Sequence, residues 1–374
     1  MTQVKPFTKS VALCSDWQVI LRDNITDPEE LCRELQLPHS VVSTKAAAIQ
    51  PLNVTRDYLS RIRPSDPNDP LLLQILPRCE ELDYVPGFSS DPLEESSFFR
   101  QDNVEIDDDF LRIPTKSNAL PRKTPPQLLM LQKYPGRALI LTTGHCAANC
   151  RFCFRRCFPK NLHQISAELP FRPFDDNLPI LSKKTDEISD LREIILSGGE
   201  PLTLDDTELA RVFNYIKELY PGNRVRLHTR MPIMLPERVT VALTEILRDF
   251  RLSQEGNAVY VVLHVNHPNE LSVKVLDAVA MLIDAGIPVF SQTVLLKNIN
   301  DHFETLYDLF EKLANSRIVP YYLHQLDRVT GTAHFEVPVA KGLILISKLQ
   351  AALPGYAVPR YVQEIPGKSF KTLL

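Results

Sequence analysis

Three cysteines, Cys146, Cys150 and Cys153, stand four and three residues apart in one short run, CAANCRFC at 146–153. No other stretch constrains the chain as tightly. The run follows an apolar, β-like segment, RALILTTGH at 137–145. Three thiolates on one loop can hold three irons of a 4Fe-4S cluster, whose full ligation by cysteine takes four. The fourth iron then stays open to a small molecule, as a catalytic metal keeps an open position where a structural one closes it. A zinc loop is the other reading. Zinc draws on a second Cys or His pair; Cys157 offers one more thiol, but no matching pair follows. Spacing alone leaves both readings standing.

Composition narrows the setting. Four of the seven cysteines lie within 146–157, which points to metal binding in a reducing compartment and away from disulfides. Cys14, Cys32 and Cys79 read as ordinary, partly buried thiols. The net charge of −4 argues against a nucleic-acid surface. No apolar run reaches membrane-span length, and residues 1–10 lack the apolar stretch of a secretory signal. A cytoplasmic enzyme is the expectation.

Residues 1–125 read as a helical, proline-punctuated front domain. DPEELCREL at 27–35 has a capping Asp, Pro in the first turn, and Leu31 and Leu35 one helical turn apart. DPLLLQIL at 69–76 repeats the device. Residues 86–108 are polar and acidic and are expected on the surface. Pro114, Pro121, Pro125 and Pro126 mark a stiff linker. From 126 to 345 the pattern alternates. Short apolar or β-branched runs fall at 138–141, 193–196, 224–228, 259–265, 289–295 and 319–323. Amphipathic stretches lie between and after them, at 205–219, 237–250, 272–285 and 303–314. Six βα repeats predict an α/β fold with a parallel sheet and outer helices. Rolled up, they make a partial (β/α)6 TIM-like barrel, with chemistry at the C-terminal strand ends. The cysteine run sits where that rule puts a site. Residues 158–187 form an insertion, and 346–374 a short C-terminal segment.

SGGEP at 197–201 ends the second strand. Gly198 and Gly199 let a ligand approach the backbone, and Glu200 supplies a carboxylate for an ammonium group. After CxxxCxxC in a βα core, the pattern resembles the radical S-adenosyl-L-methionine (SAM) superfamily. That resemblance implies that the methionine end of SAM chelates the open iron and that Ser197–Glu200 receive its amino group. CFRRCFP at 153–159 sharpens the match. A fork-shaped cation suits a carboxylate, and the run resembles the lysine 2,3-aminomutase family, in which the arginine two positions past the third cysteine grips the substrate carboxylate. That position is Arg155.

The chain ends YVQEIPGKSFKTLL at 361–374. In the family, the lysine that carries pyridoxal 5'-phosphate lies seven residues after an acidic residue, a spacing met by Glu364 and Lys371, with Lys368 the competitor. The resemblance further implies Lys133 and Arg137, in LQKYPGR at 131–137, as partners of the cofactor phosphate. It implies Asp327 and Glu364 as acceptors of the distant ammonium of lysine, and His264 and Gln292 as strand-end positions beside SAM. Within the family, GFSSDPLEE at 87–95, DPNDPL at 66–71 and LDRVTGTAHF at 326–335 look like the branch that supplies (R)-β-lysine for elongation factor P and its lysyl-ligase. The glycine run that usually precedes the pyridoxal lysine is Gly367-Lys-Ser-Phe370 here, and the zinc-binding C-terminal extension of other members is absent. The implied activity is a 2,3-aminomutase acting on lysine, fed electrons by a flavodoxin or ferredoxin.

Overall fold

All six runs become strands of one sheet. The structure is a computed structural model that describes residues 17–95, 129–157 and 191–374. Its nine strands follow one another across the sheet in chain order. Strand β1 (Leu129–Tyr134) forms an antiparallel hairpin with β2 (Arg137–Leu141). From β2 the sheet is parallel through β3 (Glu193–Ser197), β4 (Arg224–Thr229), β5 (Ala258–His264), β6 (Val289–Val294), β7 (Val319–His324) and β8 (Arg360–Gln363). The two-residue β9 (Thr372–Leu373) folds back antiparallel on β8. Parallel neighbours need a crossover, and from β3 to β8 helices supply it. With β1 and β9 as its edges the sheet stays open, which is the partial barrel the alternation predicts.

Local chemistry sets the helix ends. Asp205 and Glu208 form a capping box that starts Asp206–Leu219, whose buried residues Leu209, Val212, Phe213 and Ile216 recur at helical spacing. Thr240 and Ser272 cap Val241–Leu252 and Val273–Asp284. The helix expected from 237 begins at 241, because a 3-10 turn, Pro236–Arg238, precedes the Thr240 cap. Asp27 caps Pro28–Glu34 as expected. Asp69 also caps, accepting from the N–H of Leu71 and Leu72, but only a 3-10 turn, Leu72–Gln74, follows; Pro77 cannot extend it.

The apolar side chains of the front segment do not form a core of their own. Leu31, Tyr58 and Leu72 join Leu196, Val261 and Leu323 of the barrel in one contiguous cluster. The C-terminal segment also belongs to the sheet: the helix Val339–Ala352 runs through residue 345 and leads to β8. The surface expected from residue 86 onward is corrected in part. Leu93 and Glu95 are buried, because Arg155 meets the Glu95 carboxylate. Cys14, the proline linker and the 158–187 insertion lie outside the described residues. No helix among the described residues is long and apolar enough to cross a membrane.

Candidate active site

The cysteine loop leaves the C-terminal end of β2 and is gripped from outside by the front segment. Asn53 donates to the carbonyl of Cys146 at 2.9 Å, Asn24 to Ala147 at 2.9 Å and Gln50 to Cys150 at 3.0 Å. Arg151, between the second and third cysteines, is fully buried. Its guanidinium donates to both oxygens of Glu81, at 2.8 and 2.6 Å. Arg156 joins the same carboxylate and also donates to the carbonyl of Gly331 at 3.0 Å. A buried charge pair of this kind tolerates no loss of one partner, so the loop is fixed by the front segment and not by its own few residues.

The SGGE turn packs directly against the root of that loop. A Cβ on Gly198, which sits at φ +122°, would lie 2.7 Å from the carbonyl oxygen of Thr143. One on Gly199 would overlap the carbonyl of His145. The glycines therefore admit neighbouring backbone, where the sequence suggested a ligand. The Gly199 N–H closes the contact on the Thr143 carbonyl at 2.6 Å. Glu200 is buried. Its Oε1 accepts from Thr229 Oγ1 (2.6 Å) and the Leu202 N–H (3.1 Å), and its Oε2 from the Arg230 N–H (2.7 Å). Burial pushes the Glu200 carboxyl up, against those hydrogen bonds.

Burial and then the neighbouring thiols push Cys146 up, and burial and Cys150 push Cys153 up to about 11. Two thiols raised in this way disfavour the anionic form until a cation joins them, and bound metal inverts that balance. The donor set thus fits a cationic cluster. Among the described residues, no group of three or more His, Cys, Asp and Glu side chains is arranged around a single metal ion. Cys157 stands apart, its Sγ 3.9 Å from the carbonyl of Thr330.

Strand ends line the open side of the barrel. His264 ends β5 in register with Gln292 of β6, and its ring meets Phe152 of the cysteine loop edge-on at 5.4 Å. Arg230, at the end of β4, spans three groups: its Nη1 lies 2.6 Å from Cys150 Sγ, and its Nη2 reaches Gln74 (2.6 Å) and Glu270 (2.5 Å). Two more histidines, His228 of β4 and His324 of β7, were missed by the sequence reading. The Nε2 atoms of His228, His264 and His324 are all buried without a hydrogen-bond partner among the described residues. Burial drives the three imidazoles below their ordinary range, and His264, with Arg230 beside it, to about 3. Such groups bind protons more readily once the chain unfolds. Stability is then full above the unfolded histidine pKa of about 6.5 and falls as the pH drops below it. The midpoint of a thermal melt should therefore fall between pH 7.5 and 5; a flat profile would contradict the burial of these rings.

Lys371, at the entry to β9, is half-buried and its Nζ is ion-paired with Glu364. Its charge adds to burial in lowering His228 and His324. Lys368 is exposed. Tyr134 of β1, another residue the sequence reading missed, donates to Glu364 Oε1 at 2.5 Å. The guanidinium of Arg137 lies over the Tyr134 ring at 5.5 Å. Arg137, Tyr134, Glu364 and Lys371 thus form one connected group. Lys133 lies in β1, and its side chain is outside what the structure describes. Asp327 is half-buried in the loop after β7. Arg155 pairs with Glu95, at 2.7 and 3.0 Å, and its Nη1 approaches Ser197 Oγ (3.3 Å) and the Gly198 carbonyl (3.2 Å).

Comparison with known proteins agrees with this arrangement. The family model described as the radical SAM superfamily matches residues 140–310. The chain is 36% identical over 359 residues to the L-lysine 2,3-aminomutase of Buchnera aphidicola subsp. Baizongia pistaciae, covering 95% of this chain and 94% of the relative. It is 34% identical to the Escherichia coli protein of the same name, covering 96% and 94%. With the Clostridium subterminale enzyme, also an L-lysine 2,3-aminomutase, it shares 32% identity over 96% of this chain and 77% of the relative. A cysteine loop at the end of the first parallel strand, a glycine turn wedged beneath it and a full-length match to these isomerases have one common explanation: the chain belongs to the lysine 2,3-aminomutase family of radical SAM enzymes.

Proposed function

We propose that the protein converts L-lysine to (R)-β-lysine, using a 4Fe-4S cluster on Cys146, Cys150 and Cys153, SAM, and pyridoxal 5'-phosphate on Lys371. The observation that carries the reading is that Lys371 is linked through Glu364 and Tyr134 to Arg137 of β2, the strand from which the cysteine loop leaves. The lysine amine acts on His228 and His324, and His264 of the same lining packs on Phe152 inside the loop. The β C–H bond of lysine is too weakly acidic for a side-chain base, so cluster and SAM supply a carbon radical and pyridoxal supplies the conjugated carbonyl through which the amine moves.

The chain's own residues bind and orient. Ser197, Gly198, Gly199 and Glu200 receive the amino group of SAM, with His264 and Gln292 beside it. Lys133 and Arg137 take the pyridoxal phosphate group. Arg155 takes the substrate carboxylate, and Asp327 and Glu364 its distant ammonium. The pairing of Glu364 with Lys371 supports a handover: once the Lys371 amine is engaged, its carboxylate partner is released for the substrate's ammonium. The buried lining excludes water, and orientation matters because displacing reacting atoms by about 1 Å can cost on the order of a hundredfold in rate. In this scheme 1–125 is the front domain, whose residues 24–95 clamp the cysteine loop, 126–345 form the catalytic barrel and 346–374 carry the pyridoxal lysine. Resemblance to the elongation factor P branch supports a cytoplasmic role in supplying that factor's lysyl-ligase with β-lysine, with flavodoxin or ferredoxin as reductant.

The test is anaerobic incubation of reconstituted, reduced protein with SAM, pyridoxal phosphate and each amino acid in turn, with chiral identification of products. (R)-β-lysine from lysine alone is the expected result. A β-amino acid from another substrate would move the specificity. SAM cleavage with no pyridoxal requirement would point to a radical oxidoreductase instead.

A further inference from the structure

The segment from Ser89 to Glu95 crosses from the loop after β7 to the cysteine loop. Ser89 exchanges backbone hydrogen bonds with that loop, donating to Arg328 at 3.0 Å and accepting from Thr330 at 2.9 Å. Asp91 then caps the N–H of Glu95 at 3.0 Å. Glu95 ends 1% exposed. An acid is not buried there without a task, since a desolvated carboxylate is costly unless paired. Its partner is Arg155, and the pairing uses one particular edge of the guanidinium. Nε and Nη2 donate to the two carboxylate oxygens, at 2.7 and 3.0 Å. Nη1 leans on the SGGE turn, through Ser197 Oγ at 3.3 Å and the Gly198 carbonyl at 3.2 Å.

A guanidinium carries five N–H groups in a planar fork. With Nε and one Nη2 N–H on Glu95 and the Nη1 N–H groups turned to the SGGE turn, one Nη2 N–H is left for a second carboxylate. We propose that Glu95 is a positioning residue that locks Arg155 by one edge, so that its remaining Nη2 N–H meets the substrate carboxylate at a fixed angle. This rests on the reading that Arg155 receives that carboxylate. Arginine sits on a long flexible stem. Without Glu95 the head samples several directions, and the fixed approach is lost before any contact with substrate is.

The experiment compares L-lysine with L-lysinamide, which lacks the carboxylate charge, on the reconstituted holoenzyme. The ratio of their kcat/KM values in competition does not depend on how much protein is active, so partial misfolding does not obscure it. Equilibrium binding of both radiolabelled ligands gives a second readout independent of turnover. Glu95→Gln and Glu95→Ala are expected to lower the lysine preference about tenfold, the scale of one charge-assisted hydrogen bond. The change should appear in KM and binding more than in kcat, with iron content held. Glu95→Asp, which keeps the charge, should recover part of the preference. Arg155→Met tests the underlying reading and should abolish the preference. If Arg155→Met abolishes it and the Glu95 variants keep it, the positioning role fails alone. If the Glu95 variants lose both ligands equally, Glu95 only supports the fold and the proposal is overturned. If Arg155→Met keeps the preference, the reading of Arg155 falls and the proposal with it.

Discussion

Gly199→Ala should yield protein that takes up little iron and melts at lower temperature. The added methyl would overlap the carbonyl oxygen of His145 and come within 2.8 Å of the carbonyl carbon of Gly144. Both are backbone atoms, so no rotamer change relieves the clash. The backbone it would strike is the residue run leading into Cys146. Either the SGGE turn or the cysteine loop must move, and the Gly199 N–H bond to Thr143 at 2.6 Å goes with it. Overpacking costs about 1–3 kcal/mol in a well-packed interior, and here the displacement falls on the sulfur positions themselves. Gly355→Ala is the control: nothing lies within 4 Å of a Cβ there, so its effect should stay within about 0.5 kcal/mol. Iron and sulfide content after reconstitution, with thermal melts of both variants, checks the contrast. Equal iron in the two would show that the turn does not set the loop.

Lys371→Ala has the second large expected effect. Cluster assembly should survive, because Lys371, paired with Glu364, takes no part in the hydrogen bonds that hold the cysteine loop. Aminomutase turnover should drop below detection. Borohydride reduction of the pyridoxal-loaded protein should leave a pyridoxyl group on the peptide containing Lys371 in the wild type and none in the variant. Lys368→Ala, at an exposed position, should retain both label and turnover. Label on Lys368 in the wild type would reverse the assignment.

Much of the fold was legible because its strands are short apolar runs separated by capped helices. Each of the six expected runs became a strand, and Asp27 caps where its position suggested; Asp205 and Ser272 cap the helices that start at 206 and 273. Two edge strands were not legible. Strand β1 carries Gln132 and Lys133 in its middle, which blurs alternation, and β9 has two residues that form a strand only by pairing with β8. The three cysteines, the SGGE turn and Lys371 were legible as local motifs. Their supports were not. Glu81 meets Arg151 across 70 residues, Glu95 meets Arg155 across 60, and Tyr134 meets Glu364 across 230. Pairings at that distance are set by sheet register and by the front segment's docking, neither of which leaves a local trace. His228 and His324 did leave one: each is a polar residue at the C-terminal end of an apolar strand, the same signal that marked His264.

The central claim is that the cysteine loop and Lys371 serve one reaction space. Lysine deuterated at both hydrogens of its β carbon tests it directly. In reduced, reconstituted enzyme with SAM and pyridoxal phosphate, deuterium should appear in 5′-deoxyadenosine and at the α carbon of the β-lysine formed. Cleavage of SAM that leaves 5′-deoxyadenosine free of deuterium would show that the radical never reaches the substrate held at Lys371, and would contradict the account.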